Sequence, residues 1–198
     1  MERDKSTGEI FLTRKEIKAF LAFASNDPFR PHICTVGVDD GRGAVFATDG
    51  HTMLVFQDKS FERETNNNET FWTWNVTRQA LEIGGKDRVS ILKADMRVTV
   101  SSGGHSVDGT CASMPVSWDQ VMPKRDESEI QTAALDTQYL KRLDLVTKAI
   151  GLKNGEGCTE MIVGTKFAPV VFQWILAPQW RAVIMPMSTE RVIKEGRK

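Results

Sequence analysis

The chain has 198 residues, and its 26 Lys and Arg residues balance its 26 Asp and Glu residues. A chain of this length can bury a core without disulfides, and its neutral balance excludes gripping nucleic acid by bulk charge, although a local basic patch stays possible. No apolar run approaches the ~18 residues of a membrane span, and no signal peptide is expected. The cysteines are odd in number and widely spaced (Cys34, Cys111 and Cys158), so we expect reduced thiols in a cytoplasmic protein without a metal site.

The first unit begins after a lead-in over 1–8 with a strand expected at 9–12. Thr13 and Glu16 have the spacing of a capping box, so a helix is expected to begin there. Its buried face carries apolar residues at intervals of three and four: Ile17, Phe20, Leu21 and Ala24. The opposite face carries Lys15, Lys18, Ala19 and Ala22, and a solvated helix surface is its simplest interpretation.

A β-hairpin is expected next. A strand over 33–38 precedes 44–56, where two runs of apolar and β-branched residues flank Asp49 and Gly50. This pair favours a tight two-residue turn, because both central residues of such a turn need positive φ. A polar loop over 58–70 completes the unit.

The same order of elements recurs twice. The second unit predicts a strand at 71–74, a helix at 77–83, strands at 88–93, 96–101 and 105–112, and a proline-bounded connector at 114–124. The third predicts a strand at 130–135, a helix capped by Asp136, strands at 159–163, 169–174 and 180–186, and a charged tail at 189–198. Its helix has an apolar stripe with two lysines opposite: Leu140, Leu143, Val146 and Ile150, against Lys141 and Lys148. The three strand–helix–three-strand units predict an α+β fold with antiparallel sheets and helices on one face.

Four segments, in chain order, carry a likeness to a known family. They are Ala-Thr-Asp-Gly-His at 47–51, the connector from Met114-Pro115 to Val121-Met122-Pro123, Leu-Asp-Thr-Gln-Tyr-Leu at 135–140, and Ala-Val-Ile-Met-Pro-Met at 182–187. They resemble corresponding segments of the bacterial DNA polymerase III β sliding clamp, the processivity subunit of the replicative polymerase. The resemblance covers about residues 9–188 and implies the DNA-clamp fold.

The resemblance also implies a domain organisation. Residues 9–124 resemble the complete second clamp domain, built of two half-units, and 125–188 resemble the last half of the third domain. The first domain and half of the third have no counterpart, which places the family's head-to-tail dimeric ring in doubt. Since clamp rings contain twelve half-units and this chain has three, four chains would complete a tetrameric ring.

In this family a pocket between the second and third domains takes short linear motifs of polymerases and the clamp loader. Carried over, its residues are Thr48, Gly50, His51, Thr52, Met53, Pro115, Gln120, Val121, Val183, Met185, Pro186 and Met187, with Cys34 as a further candidate. Thr52 and Gln120 replace family arginines, so a less acidic peptide is expected. Without the resemblance, the methionines would read as core residues.

Clamp helices line a channel around duplex DNA and contact phosphates without reading bases. The resemblance therefore implies DNA-facing roles for Lys15, Lys18, Arg78, Lys141 and Lys148. Together these features predict a clamp-like processivity factor. The alternative is a non-ring homologue that captures clamp-binding motifs as an interaction module. An enzyme is the weakest option, because His32, His51 and His105 lack an obvious nucleophile partner and no cofactor motif is present.

Overall fold

The computed structural model describes residues 1–30, 33–62, 70–72, 79, 82, 88–110, 112–113, 118, 135–153, 156–163 and 169–186. Helix α1 spans Arg14–Phe23 and helix α2 spans Thr137–Ala149. The strands are β1 (Glu2–Arg3), β2 (Ile10–Thr13), β3 (Gly37–Asp39), β4 (Ala44–Thr48), β5 (Thr52–Gln57), β6 (Thr70–Trp72), β7 (Arg88–Ala94), β8 (Arg97–Ser102), β9 (His105–Thr110), β10 (Ala112–Ser113), β11 (Thr159–Val163), β12 (Val170–Trp174) and β13 (Ala177–Ile184). Within these ranges, no helix has the length and apolar character that crossing a membrane requires.

The strands form two antiparallel sheets. Sheet A has the order β1-β2-β7-β8-β9, and sheet B has the order β10-β6-β3-β4-β5-β13-β12-β11. Strand β2 of the first unit pairs with β7 of the second, while β6 of the second pairs with β3 of the first. The first two units therefore exchange their leading strands, and the α+β class with antiparallel sheets is confirmed.

The third unit joins the first through a continuous sheet. Strand β13 pairs antiparallel with β5, from Trp180 opposite Phe56 to Ile184 opposite Thr52. The Trp180 ring lies 5.3 Å from that of Phe20 on α1 and 5.2 Å from that of Phe56, centroid to centroid. Helices α1 and α2 also pack against each other. We call the β5–β13 pairing and these ring contacts the seam.

Over the paired residues, each strand of the seam is apolar on both faces, apart from Thr52 of β5 and the half-buried Arg181 of β13. Leu54, Phe56, Ala182 and Ile184 belong to the main core, which also takes in Ile17, Phe20 and Phe23 of α1 and strands of sheet A. The alternate residues Met53, Val55 and Val183 belong to a second apolar cluster, the outer cluster, together with Ile33, Ala44, Phe46, Trp118 and Val171. This alternation follows from the two-residue period of a strand.

Three details of the sequence prediction need correction. The strand expected at 33–38 is shorter and lies at Gly37–Asp39. Ala19, expected on the solvated side of α1, is 1% exposed, because it packs in the main core. Leu140 is 36% exposed, because at about 100° per residue it lies about 120° around α2 from the buried Val146. Of the helix expected at 77–83, only Gln79 and Glu82 lie among the described residues, and both are helical.

Candidate functional site

The hairpin between β4 and β5 forms the centre of the site. The Asp49 N–H donates to the Thr52 carbonyl at 3.2 Å, so Gly50 and His51 are the central residues of the turn. The expectation of positive φ at both Asp49 and Gly50 is wrong, because only Gly50, with φ of +90°, has it. Asp49 shapes the turn through its side chain instead: one carboxylate oxygen, Oδ1, accepts from the His51 N–H at 2.9 Å and the Thr52 N–H at 2.7 Å.

An arginine from the third unit holds this turn. Arg142 Nη1 donates to Asp49 Oδ2 at 2.7 Å and to Thr52 Oγ1 at 2.6 Å. The guanidinium carbon lies 5.0 Å from the ring centre of Tyr139 and 5.7 Å from that of Phe23. The sequence analysis missed Arg142. Its position on α2, between the apolar stripe and the lysine-bearing face, could have identified it.

Two opposing effects act on the Asp49 carboxyl group. Burial raises its pKa, because the charged form loses hydration. The hydrogen bond from Arg142, the backbone N–H groups of Thr52 and His51, and the Arg142 charge lower it. These attractive effects outweigh burial and hold the pKa of Asp49 below its ordinary value. Asp49 is therefore ionised at neutral pH.

The structure brings most of the described pocket candidates together at one end of the seam. Met53 and Val183 lie opposite each other on β5 and β13, and both are buried in the outer cluster. The Met185 N–H donates to the His51 carbonyl at 2.9 Å, so the chain after β13 runs beside the hairpin tip. His51 and Met185 are exposed there, and Pro186 is half-buried.

Thr48 and Thr52 have structural roles at this tip. Thr48 Oγ1 donates to the Thr52 carbonyl at 2.8 Å and accepts from the Gly50 N–H at 3.0 Å. The Thr52 side chain contacts Arg142 and so lies on the helix side of the sheet, away from the outer cluster. Cys34 is buried, and its Sγ donates to the Asp27 carbonyl at 3.1 Å. Four candidates lie outside the described residues: Pro115, Gln120, Val121 and Met187.

Trp118, in the connector expected at 114–124, is a further contributor that the sequence analysis did not single out. It is 3% exposed, and its indole N–H donates to Asp39 Oδ2 at 3.0 Å. Its ring centre lies 6.4 Å from that of Phe46 in the outer cluster. Trp118 therefore lies on the same face of sheet B as Met53 and Val183. Its position inside a proline-bounded connector could have identified Trp118 from the sequence.

A second arginine lies at the hairpin tip. A Cβ atom placed on Gly50 would come within 2.9 Å of Arg30 Nη2 and 3.2 Å of Arg30 Nη1. The expectation of a less acidic peptide rested on a pocket with fewer cations, and that in turn rested on Thr52 and Gln120 alone. Two arginines from other segments, Arg30 and Arg142, adjoin the hairpin instead.

The DNA-facing candidates divide into two groups. Lys15 and Lys18 on α1 and Lys141 on α2 are exposed, as expected for the side opposite the core. Lys148 is also exposed, but its Nζ pairs with Asp144 Oδ2 at 2.5 Å on the same face of α2. Arg78 lies outside the described residues. The exposed surface of α1 is therefore more basic than that of α2.

A broad depression of about 730 Å³ lies elsewhere, at the β7–β8 turn, lined by residues 94–97 and 108–110. It includes none of the pocket or DNA-facing candidates. Three of its seven lining residues are charged (Asp95, Arg97 and Asp108), which makes it a poor match to a site for an apolar peptide.

Comparisons with known proteins give the fold. No protein-family model and no curated protein sequence matches the chain. It is similar to the DNA polymerase III β subunit of Thermotoga maritima, with a TM-score of 0.62 and 10% identity over 95% of this chain and 66% of that one. It is also similar to the β subunits of Borrelia burgdorferi (TM-score 0.64, 12% identity, 91% and 64% covered) and Pseudomonas aeruginosa (0.63, 11%, 95% and 68%).

The chain thus has the fold of the bacterial DNA polymerase III β subunit and spans about two thirds of the length of these proteins. This confirms the fold that the four short segments implied. At these identities the comparison establishes the fold alone, and the roles of individual residues rest on the geometry above.

Replacing Asp49 by Asn tests the Arg142 contact. Because the folded-state pKa is lowered, the carboxylate stabilises the fold above its ordinary pKa of 3.8, and this stabilisation is lost as the pH falls through the folded value. We expect Asp49→Asn to lower the free energy of unfolding by about 2 kcal/mol at pH 7. The difference from wild type should shrink below about pH 4. Urea unfolding at the two pH values measures both quantities.

The matched control is Asp144→Asn, which removes an exposed ion pair with Lys148 and should cost less than about 0.5 kcal/mol. A cost for Asp49→Asn that is the same at pH 7 and pH 3 would contradict the proposed origin of the stabilisation.

Proposed function

We propose that the chain acts as a reduced sliding clamp, a processivity factor that rides on duplex DNA and binds short linear motifs of a DNA polymerase and its clamp loader. The observation that carries this proposal is the seam, which places the His51 carbonyl against the Met185 N–H at the end of an apolar sheet face. The proposal assigns the chain no catalytic reaction and no cofactor, and a cytoplasmic location.

The chemistry of the seam's end suits capture of an apolar peptide. Met53 and Val183 supply a buried apolar floor, while Met185 is 39% exposed at its rim. Methionine side chains are unbranched and polarisable, so they adapt to different anchors. His51 and the turn's backbone supply polar groups for orientation, as extended-peptide sites require. Pro115, Gln120, Val121 and Met187 complete the proposed pocket.

The DNA contact is proposed for the helices. Lys15 and Lys18 on α1 and Lys141 on α2 are exposed on the sides facing away from the core. Arg78 and Lys148 complete the proposed set, although Lys148 forms an ion pair with Asp144. A few lysines give weak, sequence-independent phosphate contacts, which suits a protein that must move along DNA.

A ring requires contacts between copies. Among the described residues, β9 is a terminal strand of sheet A and β11 is a terminal strand of sheet B. Each of these two strands pairs with another strand along one edge only. Such edges favour pairing with another chain. We therefore propose a homo-oligomer in which sheet edges of neighbouring copies pair, closed as a tetrameric ring.

The alternative is a non-ring interaction module that captures clamp-binding motifs. One observation favours it: on α2, Lys148 is paired with Asp144, and Leu145 between Lys141 and Lys148 is 48% exposed. This face is less basic than a surface that lines a DNA channel. Both functions use the same pocket and differ in DNA contact and assembly.

Met185→Ala tests the pocket. We expect it to weaken binding of a fluorescent clamp-binding peptide by about tenfold, because it removes an apolar side chain at the rim of the site. Fluorescence anisotropy measures the Kd. Met96→Ala is the matched control, because Met96 is 65% exposed in the turn between β7 and β8 of sheet A, whereas the proposed pocket lies on sheet B, and its loss should leave the Kd unchanged. Wild-type protein that binds no such peptide would rule out both functions.

A double substitution, Lys15→Gln with Lys18→Gln, tests the DNA contact. If both lysines neutralise phosphates, the slope of log K against log salt for duplex DNA should become less steep by about 1.8. The control, Lys5→Gln with Lys59→Gln, removes two exposed lysines outside α1 and α2 and the same total charge. Equal slopes for the two double variants would show that α1 makes no specific phosphate contact.

Native mass separates the ring from the interaction module. Light scattering across a concentration series should give four times the mass of one chain if the ring closes. A stable monomer or a simple dimer would exclude the tetramer and support the interaction module.

A further inference from the structure

The third unit lacks the strand exchange that completes the first two. In the first and second units each leading strand is given to the other unit, since β2 pairs with β7 and β6 pairs with β3. Strand β11 holds in the third unit the place of β3 and β7, the first strand after the helix. Among the described residues, β11 pairs with β12 alone. One edge of β11 therefore receives no leading strand.

The burial of two equivalent residues shows the consequence for this edge. On β7, Ile91 pairs with the residue two positions before the end of β8, and β8 ends at a two-residue turn. On β11, Met161 pairs with the residue two positions before the end of β12, which also ends at a two-residue turn. Ile91, opposite Ile10 of β2, is 1% exposed, whereas Met161 is 57% exposed.

The two helices show the same contrast. Thr13 is the N-cap of α1, and Asp136 is the N-cap of α2. Four residues after its cap, Ile17 is 0% exposed in the main core, to which β7 of the second unit contributes, whereas Leu140 is 36% exposed. Five of the ten residues of α1 are buried, but Val146 alone is buried in α2. Helix α2 therefore lacks the cover that the second unit gives to α1.

The exposed residues lie on the side of the third unit that faces away from the first. Arg142 contacts the first unit from one flank of α2. On the other flank, Thr147 Oγ1 accepts from the Trp174 indole N–H of β12 at 2.9 Å. Leu140 lies seven residues before Thr147, which places it on this second flank. Met161 lies on β11, beyond β12, so both apolar side chains border the open edge.

The chain carries a leading segment of its own at this unit. The sequence predicts a strand at 130–135 directly before the Asp136 cap, as β2 precedes the Thr13 cap, and 130–134 lie outside the described residues. In the first two units a leading strand pairs with the other unit of the pair. The third unit has no fourth unit in the same chain. A second copy offers both a leading segment and an open β11 edge, so one contact can complete two copies.

We propose that the third units of two copies complete each other by exchanging these segments. The segment 130–135 of one copy pairs antiparallel with β11 of its partner, and the reciprocal pairing forms at the same interface. In the register of Ile10 and Ile91, Ala133 lies opposite the partner's Met161. The contact is isologous, so the copies meet like to like and not head to tail. This inference rests on the homo-oligomer of the proposed function, and pairing of the β9 edges would join two such pairs into four chains.

Native mass by light scattering tests this interface. Met161→Lys places a charge where the side chain is exposed in one chain and buried between two copies. We expect the mass of four chains for wild type and of two chains for Met161→Lys, because the β9 contact remains. Met96→Lys is the matched control, since Met96 is 65% exposed in the turn between β7 and β8, and it should keep the wild-type mass. Circular dichroism checks that each variant is folded.

A second substitution tests which segments meet. Ala133→Glu alone should also reduce the mass to two chains, because it buries a carboxylate against the partner's Met161. Mixing Ala133→Glu protein with Met161→Lys protein should restore the mass of four chains. In the mixed pair the introduced carboxylate meets the introduced ammonium, and the reciprocal contact is that of wild type. A mixture that stays at two chains would overturn the exchange.

The possible masses separate this inference from the proposed ring. A wild-type dimer that Met161→Lys converts to a monomer would support the exchange and exclude the tetramer. A four-chain mass that Met161→Lys leaves unchanged would overturn the exchange and leave the ring in place. A wild-type monomer would overturn both, and would indicate that a segment of the same chain covers β11.

Discussion

The pairing of β5 with β13 is the constraint on which the rest of the structure depends. Both strands are buried on both faces, with Leu54 and Val55 on β5 and Val183 and Ile184 on β13 nearly inaccessible to solvent. A strand that is apolar on both faces cannot remain an open sheet edge without exposing unpaired backbone groups beside apolar side chains. Since β5 belongs to the first unit and β13 to the third, the two units must be joined to be stable.

Apolar burial and the Arg142 ion pair contribute differently to this junction. Burying a large apolar side chain such as Phe56 or Trp180 stabilises by roughly 2–3 kcal/mol, and the seam buries several. The contact between Arg142 and Asp49 is a single, partly desolvated ion pair, so its net contribution is smaller. Apolar burial therefore supplies most of the stability. The ion pair fixes the position of α2 against the hairpin and the shape of the turn.

The sequence carried enough information for the element types because they depend on local patterns. The capping box of Thr13 and Glu16, present in the structure, predicted the start of α1. The two runs of apolar and β-branched residues in 44–56 predicted β4 and β5. The turn was wrong in detail, because the Asp49 side chain accepts backbone hydrogen bonds and moves the centre of the turn to Gly50 and His51.

Contacts between distant segments had no local signal. Arg142 and Asp49 are separated by 93 positions, and Trp118 and Asp39 by 79. No periodic pattern in the sequence therefore identifies either pair. The exposure of Leu140 likewise depends on which flank of α2 packs against α1. Patterns of three and four residues identify the buried face of a helix but not how far burial extends around it.

The electrostatic character of the hairpin tip shows why residue identity within a motif is an incomplete guide to a binding site. The resemblance implies an arginine at the position of Thr52, so the hairpin's own sequence carries one cation fewer than the resemblance implies. The Thr52 hydroxyl accepts a hydrogen bond from Arg142, but Asp49 neutralises that cation and burial shields it. Arg30 differs, because it lies over Gly50 at the surface and Asp49 is already taken. The field at the tip therefore depends on which arginine Asp49 engages. Among the described residues, Asp49 lies with Arg142 on the helix side of the sheet, and Arg30 is the charged group that lies over Gly50.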